Sequence, residues 1–420
     1  MRSAWPGLLL LLCLAPALAQ IPKYEYGARR HAVQAALPDG VLVLFGNEED
    51  EHDFGRFYQE PNFEYLTGWR EPGAILLLSP NAETLFLPKH DPIRERYAGH
   101  RAAAEDENVN IVTGFRKALP VTQFEEQFQQ ALSSYSRVYT LADFPGAAKI
   151  GRLAPMREIL DARAALASLR KKKSVNEIAL IQKSVDASVA AHREIWKRMA
   201  PGLAEYQLAA TFTYAILDKG CERNAYAPIV ATGPSAIVLD YSKYTRRIEP
   251  GDLVLIDAGA QCDGYAADIT RTVPANGKFT PRERELYGIV FEAQKAVIAA
   301  IKPGAVMGAD PASPGTLYKI AYDYINTHGK DLEGKPLGRY VLHGTSHHIG
   351  LEVHDAPPSS YSQPLAAGMV ISAEPGIYIP REGIGIRIED TVLVTPEGAK
   401  VLSGALPKDP AEIEKIFAAR

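Results

Sequence analysis

The sequence predicts an α/β (α+β) chain, a small N-terminal α/β domain followed by a larger strand-rich unit. Three observations lead there. Between about residues 24 and 165, apolar runs bounded by Gly or Pro alternate with helical stretches. A long amphipathic helix with a clear start signal follows at Ser174. Beyond about residue 225 the chain turns strand-rich and gathers closely spaced Asp, Glu and His.

The first residues stand apart from this plan. Arg2 precedes an apolar stretch at 8–14, and Ala17-Leu18-Ala19 has the small-x-small form of a cleavage site. Residues 1–19 are expected to be an export signal, leaving a secreted or periplasmic chain that starts near Gln20. Cys13 lies inside the apolar stretch and not at the cleavage point, which argues against a lipid anchor. No segment reaches the ~20 apolar residues of a membrane span.

In the N-terminal domain, residues 20–170, the runs 41–45, 74–78 and 138–141 read as strands, and Phe124–Leu132 as a helix. The run Lys171-Lys172-Lys173 at the junction reads as a solvated stretch. The second domain, residues 171–420, opens with a helix over 174–199. Ser174 is its N-cap and Glu177 completes a capping box, with Ile178, Ile181, Val185 and Val189 on one face. Further helices are expected at 281–302 and 315–328, and strands at 253–256 and 384–394.

Composition is that of a folded chain, 46% hydrophobic and 23% charged, which excludes a disordered one. A net charge of -4 offers no basic surface for nucleic acid. After the leader only Cys221 and Cys262 remain, too few for a disulfide framework or a thiolate metal site. Their sequence separation leaves open whether they pair.

The chemistry gathers in four segments. LVLIDAGAQCDGYAADITRT, at 253–272, carries the hairpin-turn pair Asp263-Gly264, which folds Asp257 and Asp268 nearly opposite each other. Opposed residues have Cβ atoms ~4.5–5.5 Å apart, so two carboxylates there repel unless a cation lies between them. In GIGIRIEDT, at 383–391, alternation puts Ile384, Ile386 and Ile388 on one face and Arg387 and Glu389 on the other. Glu389 is then available to a cation, and Arg387 to orient a carboxylate. Glu374 follows an apolar run and precedes Pro375-Gly376, a strand end from which a carboxylate can project into a cleft. HGTSHHIGLEVHD, at 343–355, holds four of the ten histidines, and Gly344 and Gly350 argue against a continuous helix. Four carboxylates with one imidazole and no sulfur favour Mn²⁺, with Zn²⁺ or Co²⁺ also able to occupy such a site. That much negative charge exceeds the need of one dication, so two ions ~3.5–4 Å apart fit better.

These motifs resemble the pita-bread metallopeptidases of the aminopeptidase P type, with prolidase a near relative. The resemblance rests on LIDAG at 255–259, DITRT at 268–272, the histidine motif, EPGIYI at 374–379 and GIGIRIED at 383–390. YQEPNFEYLTGWREPGA at 58–74 extends it into the N-terminal half. It implies a creatinase-like α/β domain followed by a pita-bread catalytic domain. It further implies that Asp257 binds one ion, Asp268 and Glu389 bridge both, and His347 and Glu374 complete the second. Glu374 would accept the proton of the attacking water; His343, His354 and Arg387 would bind substrate or orient ligands, with His354 hydrogen-bonding the substrate carbonyl. The implied reaction removes an N-terminal residue that precedes proline, Xaa-|-Pro, from a peptide. The resemblance also implies a homo-oligomer, a dimer or tetramer.

Two departures bear on specificity. Seventeen residues before Asp257 the family usually has a substrate-contacting histidine; Asp240 stands there, within reach of Arg246 or Arg247 as possible partners. The stretch 355–369 lacks the Arg with which prolidases grip a free carboxylate. The competing expectations are a carboxypeptidase or Xaa-Pro dipeptidase on the same metals, and a non-catalytic binding module on the same fold.

Overall fold

The computed structural model describes residues 20–49 and 55–419, so the expected leader at 1–19 lies outside the described residues. Strands β1 (Gly40–Phe45), β2 (Ile75–Ser79), β3 (Ala82–Leu87), β4 (Ala118–Pro120), β5 (Arg137–Thr140) and β6 (Glu158–Asp161) form one sheet, ordered β4-β3-β2-β1-β5-β6. Strand alternation gives this sheet two apolar faces. Val41, Val43, Ile75 and Leu77 pack with Phe124, Phe128 and Ile150. Leu42, Leu44, Leu76 and Leu78 join a second core that runs on through Ile181, Val185 and Ile256 of the other half. Each such side chain contributes about 1.5–3 kcal/mol on burial, so the two halves share part of their stabilisation.

The helix Val175–Arg198 starts as its sequence predicts: Ser174 Oγ accepts from the Glu177 amide, and the Glu177 carboxylate accepts from the Ser174 amide. The basic run before it corrects an expectation. Lys172 is exposed, but Lys171 and Lys173 are buried. Lys173 Nζ lies 3.0 Å from Asp355, which Arg170 Nη2 also meets at 2.6 Å. A buried carboxylate needs counter-charge, and this junction supplies it.

The second half contains β7 (Arg223–Asn224), β8 (Ile229–Thr232), β9 (Leu253–Asp257), β10 (Ala260–Cys262), β11 (Tyr265–Ala266) and β12 (Thr270–Pro274). These are followed by β13 (Val370–Ala373), β14 (Gly376–Ile379), β15 (Ile384–Arg387), β16 (Asp390–Thr395) and β17 (Gly398–Val401). Every pairing among them is antiparallel. The expected helices are Pro281–Ala300 and Leu317–His328.

Two details of register differ from the sequence reading. Asp263 and Gly264 take φ of 49° and 83°, the left-handed conformations that a two-residue hairpin turn demands. That turn pairs Gln261 with Ala266 and Asp257 with Thr270. Asp268 therefore stands diagonal to Asp257 instead of opposite it. The expected strand over 384–394 is two strands, β15 on β14 and β16 on β13. The chain changes partners at Ile388 and Glu389, where the Glu389 amide donates to Thr270 O at 3.0 Å.

Cys221 and Cys262 form a disulfide. The β7–β10 pairing of Arg223 with Gln261 brings them together. Among the described residues no helix is long and apolar enough to cross a membrane.

Candidate metal centre

Four chain segments deliver the predicted ligands to one place. Asp257 ends β9, Asp268 precedes β12, and Glu389 lies at the break between β15 and β16. Glu374 follows β13, and His347 is held beside it by Ser372 Oγ, which accepts from the His347 amide at 2.9 Å. His347 Nε2 lies 3.2 Å from both Asp268 Oδ2 and Glu374 Oε1. Ligand atoms of Asp268, His347 and Glu389 all fall within 4.8 Å of one another.

The surroundings show how much negative charge converges here. Burial raises Asp257 and Glu389 above the ordinary carboxylate range and lifts Glu374 to about 7. Burial opposes a charge on His347, but Asp268 and Glu374 overcome it and raise the ring to about 9. Tyr226 Oη lies 2.6 Å from Asp257 Oδ1 and also touches Asp268 Oδ1. A phenol has one proton to donate, so it satisfies only one of the two. Glu389 Oε2 accepts from Thr270 Oγ1 at 2.6 Å, while its buried Oε1 has no hydrogen-bond partner among the described residues. An orphaned carboxylate oxygen beside three other carboxylates and an imidazole fits a divalent cation.

Arg387 donates to Asp257 Oδ2 through Nη2 and to Tyr378 Oη through Nη1, at 2.6 Å for the latter. The Tyr378 hydroxyl in turn donates to His343 Nε2 at 2.7 Å, and His343 Nδ1 donates to Gly344 O at 2.7 Å. Burial lowers His343 to about 4, which keeps it neutral and matches this tautomer. His343 thus braces Arg387 while bordering the cleft.

The centre opens into a cleft of about 590 Å³ lined by Asp240, His343, His354 and Tyr361. The His354 ring packs edge-on against His347, centroids 4.4 Å apart, and burial lowers its pKa. Asp240 is exposed at the mouth and makes no hydrogen bond or ion pair among the described residues. The arginines considered for it are engaged elsewhere, Arg246 with Asp252 at 3.0 Å and Arg247 with Gly202 O at 2.9 Å.

Sequence reasoning missed Tyr226, Thr270 and Tyr378. Thr270 was within reach of it, since it follows Asp268 by two in DITRT and shares its face. Tyr378 lies inside EPGIYI but, like Tyr226, falls outside the charge pattern.

The family model of metallopeptidase family M24 matches residues 179–396, and that of the aminopeptidase P N-terminal domain matches 26–139. The Xaa-Pro aminopeptidase of Haemophilus influenzae is 34% identical over 95% of this chain and 98% of its own length. This chain belongs to metallopeptidase family M24, on its aminopeptidase P branch. Solved M24 structures agree. A putative aminopeptidase P from Bacillus anthracis superposes with a TM-score of 0.86 at 30% identity, covering 95% of this chain and 99% of the other. Zinc-substituted Escherichia coli aminopeptidase P in complex with product gives 0.84 at 28%, over 95% and 99%. The resemblance in the sequence therefore holds, for both the N-terminal domain and the pita-bread unit. As an M24 peptidase, the chain is a metal-dependent exopeptidase that uses divalent metal ions.

Proposed function

We propose that this chain removes the N-terminal residue from peptides whose second residue is proline, Xaa-|-Pro, with two divalent ions, Mn²⁺ in the native protein. The observation that carries this reading is the convergence of Asp257, Asp268, His347, Glu374 and Glu389 on one cleft, with Glu389 Oε1 buried and unpartnered among the described residues. Asp257 would hold one ion, His347 and Glu374 the other, and Asp268 and Glu389 would be available to both. When bound, the ions acidify a water and polarise the scissile carbonyl. Glu374 takes the proton of the attacking water on its carboxylate, which borders the cleft beside His347. Arg387 fixes the Asp257 carboxylate, with His343 and Tyr378 behind it. His354, neutral and facing the cleft, donates to the carbonyl oxygen as charge develops on it.

The absence of Arg and Lys from 355–369 supports an aminopeptidase over a strict dipeptidase. The Cys221–Cys262 bond supports export to an oxidising compartment through the leader at 1–19. We propose a dimer or tetramer as the working assembly.

Asp240 favours a second reading, a carboxypeptidase or Xaa-Pro dipeptidase, because an unpaired carboxylate replaces the family's histidine at the mouth. Product analysis on Xaa-Pro-peptides, free, N-acetylated and C-amidated, and on the free Xaa-Pro dipeptide, decides between them. Release of the first residue from free and amidated peptides, lost on acetylation and in Glu374→Ala, is the expected result. Cleavage of the acetylated peptide establishes a carboxypeptidase, cleavage confined to the free Xaa-Pro dipeptide establishes a dipeptidase, and no cleavage of any substrate with Mn²⁺ present ends the Xaa-Pro assignment.

A further inference from the structure

A second cluster of metal-type donors lies in the N-terminal domain, on residues that do not line the cleft. The helix Pro92–Ala98 is capped by Asp91, whose side chain accepts from the Ile93 and Arg94 amides. His90 precedes this helix, His100 follows it, and Glu95 projects from its middle. His90 Nδ1 is 2.7 Å from Glu95 Oε1, and His100 Nδ1 is 3.7 Å from Glu95 Oε2. One donor atom from each of the three residues falls within 4.8 Å of the others. Around a tetrahedral Zn²⁺ with bonds of ~2.0–2.1 Å, neighbouring ligand atoms stand roughly 3.3 Å apart, which these spacings bracket.

The outer surroundings have the form that metal-binding histidines use. His90 presents its other nitrogen, Nε2, to Asp106 Oδ1 at 2.9 Å, and Asp106 Oδ2 accepts from the Ala103 amide at 2.9 Å. A carboxylate held from behind and bonded to the far nitrogen fixes the ring and leaves Nδ1 as the ligating atom. Arg94 and Arg101 meet Glu49 at 3.5 and 2.8 Å.

We propose that His90, Glu95 and His100 form a site for one borderline dication of the Zn²⁺ class, with Asp106 orienting His90. Two imidazoles and a carboxylate select such an ion over Mg²⁺ or Ca²⁺. The inference is independent of the number of ions in the cleft, because the test is a difference between two full-length chains.

The metal-free full chain is dialysed against ZnCl₂ alone, and zinc per chain is compared with that of His100→Ala. The His100 side chain is 70% exposed, so the substitution leaves the fold intact. The unsubstituted chain should hold one zinc more than the variant. Peptide hydrolysis should be equal in the two. Asp106→Asn should weaken that ion's binding roughly 10–100-fold without removing it. Glu389→Ala, which damages the cleft, should retain the additional zinc. Equal zinc content in the unsubstituted chain and His100→Ala overturns the proposal and leaves the cluster a set of ion pairs.

Discussion

Lys173 and Asp355 form an ion pair of 3.0 Å in which neither side chain is more than 2% exposed, although 182 residues separate them. Asp355 follows His354 directly, and its carboxylate also accepts from Arg170. Asp355→Ala leaves the buried Lys173 ammonium without its carboxylate, while Arg170 keeps Glu352 and Asn62, and should cost about 3–5 kcal/mol in urea denaturation. Lys172→Ala, between Arg170 and Lys173 and exposed, should cost under ~0.5 kcal/mol. Burial opposes the Asp355 charge, but Arg170 and Lys173 hold its pKa below the ordinary value. Its contribution is therefore present above the ordinary carboxylate range and lost as pH falls through the lowered pKa.

Tyr226→Phe removes the hydroxyl that touches both Asp257 and Asp268. The carboxylates lose the group that orients them, so metal affinity should fall roughly 10–100-fold. Metal dependence of peptide hydrolysis reads this directly. An unchanged half-saturating metal concentration would show the hydroxyl to be dispensable.

Metal removal should be felt most at alkaline pH. Without metal, burial lifts Glu374 from 4.5 to about 7, so the folded state holds a proton that the unfolded state gives up earlier. Stability tied to that proton is complete below 4.5 and lost as pH rises through about 7. For His347, burial opposes protonation but Asp268 and Glu374 lift it from 6.5 to about 9, and its contribution declines in the same direction. Metal ions take over from these protons, so Mn²⁺ should raise Tm by several degrees more at about pH 8 than at about pH 5.5. Equal gains at both would contradict this.

The disulfide closes a loop of 41 residues of separation. Cys221→Ser with Cys262→Ser should lower stability by about 2–4 kcal/mol. Reductant should reproduce the loss in the unsubstituted chain and leave the double variant unmoved. Denaturant midpoints with and without reductant check both arms.

What was legible in the sequence followed from short-range rules. Alternation alone placed Arg387 and Glu389 together on the inner face, and both are buried at the centre. The Ser174 capping box is local and formed as read. The Asp257–Asp268 geometry was off by two residues because the turn at Asp263-Gly264 sets the register of the whole hairpin. Lys171 and Lys173 were misread because three adjacent lysines signal solvent, while the carboxylate that draws Lys173 in is far along the chain. Tyr226 and Tyr378 carry no charge and sit in no spacing pattern, so only the fold reveals what their hydroxyls hold.

The ion pairs at the junction have a consequence for how such a chain can change over generations. Arg170 and Lys173 belong to the connection between the halves, while Asp355 belongs to the loop that carries His354. A lineage that loses the acid strands Lys173, whereas one that loses either base leaves the acid the other. Asp355 should therefore be the last of the three to change, and the connection inherits the constancy of the loop it grips.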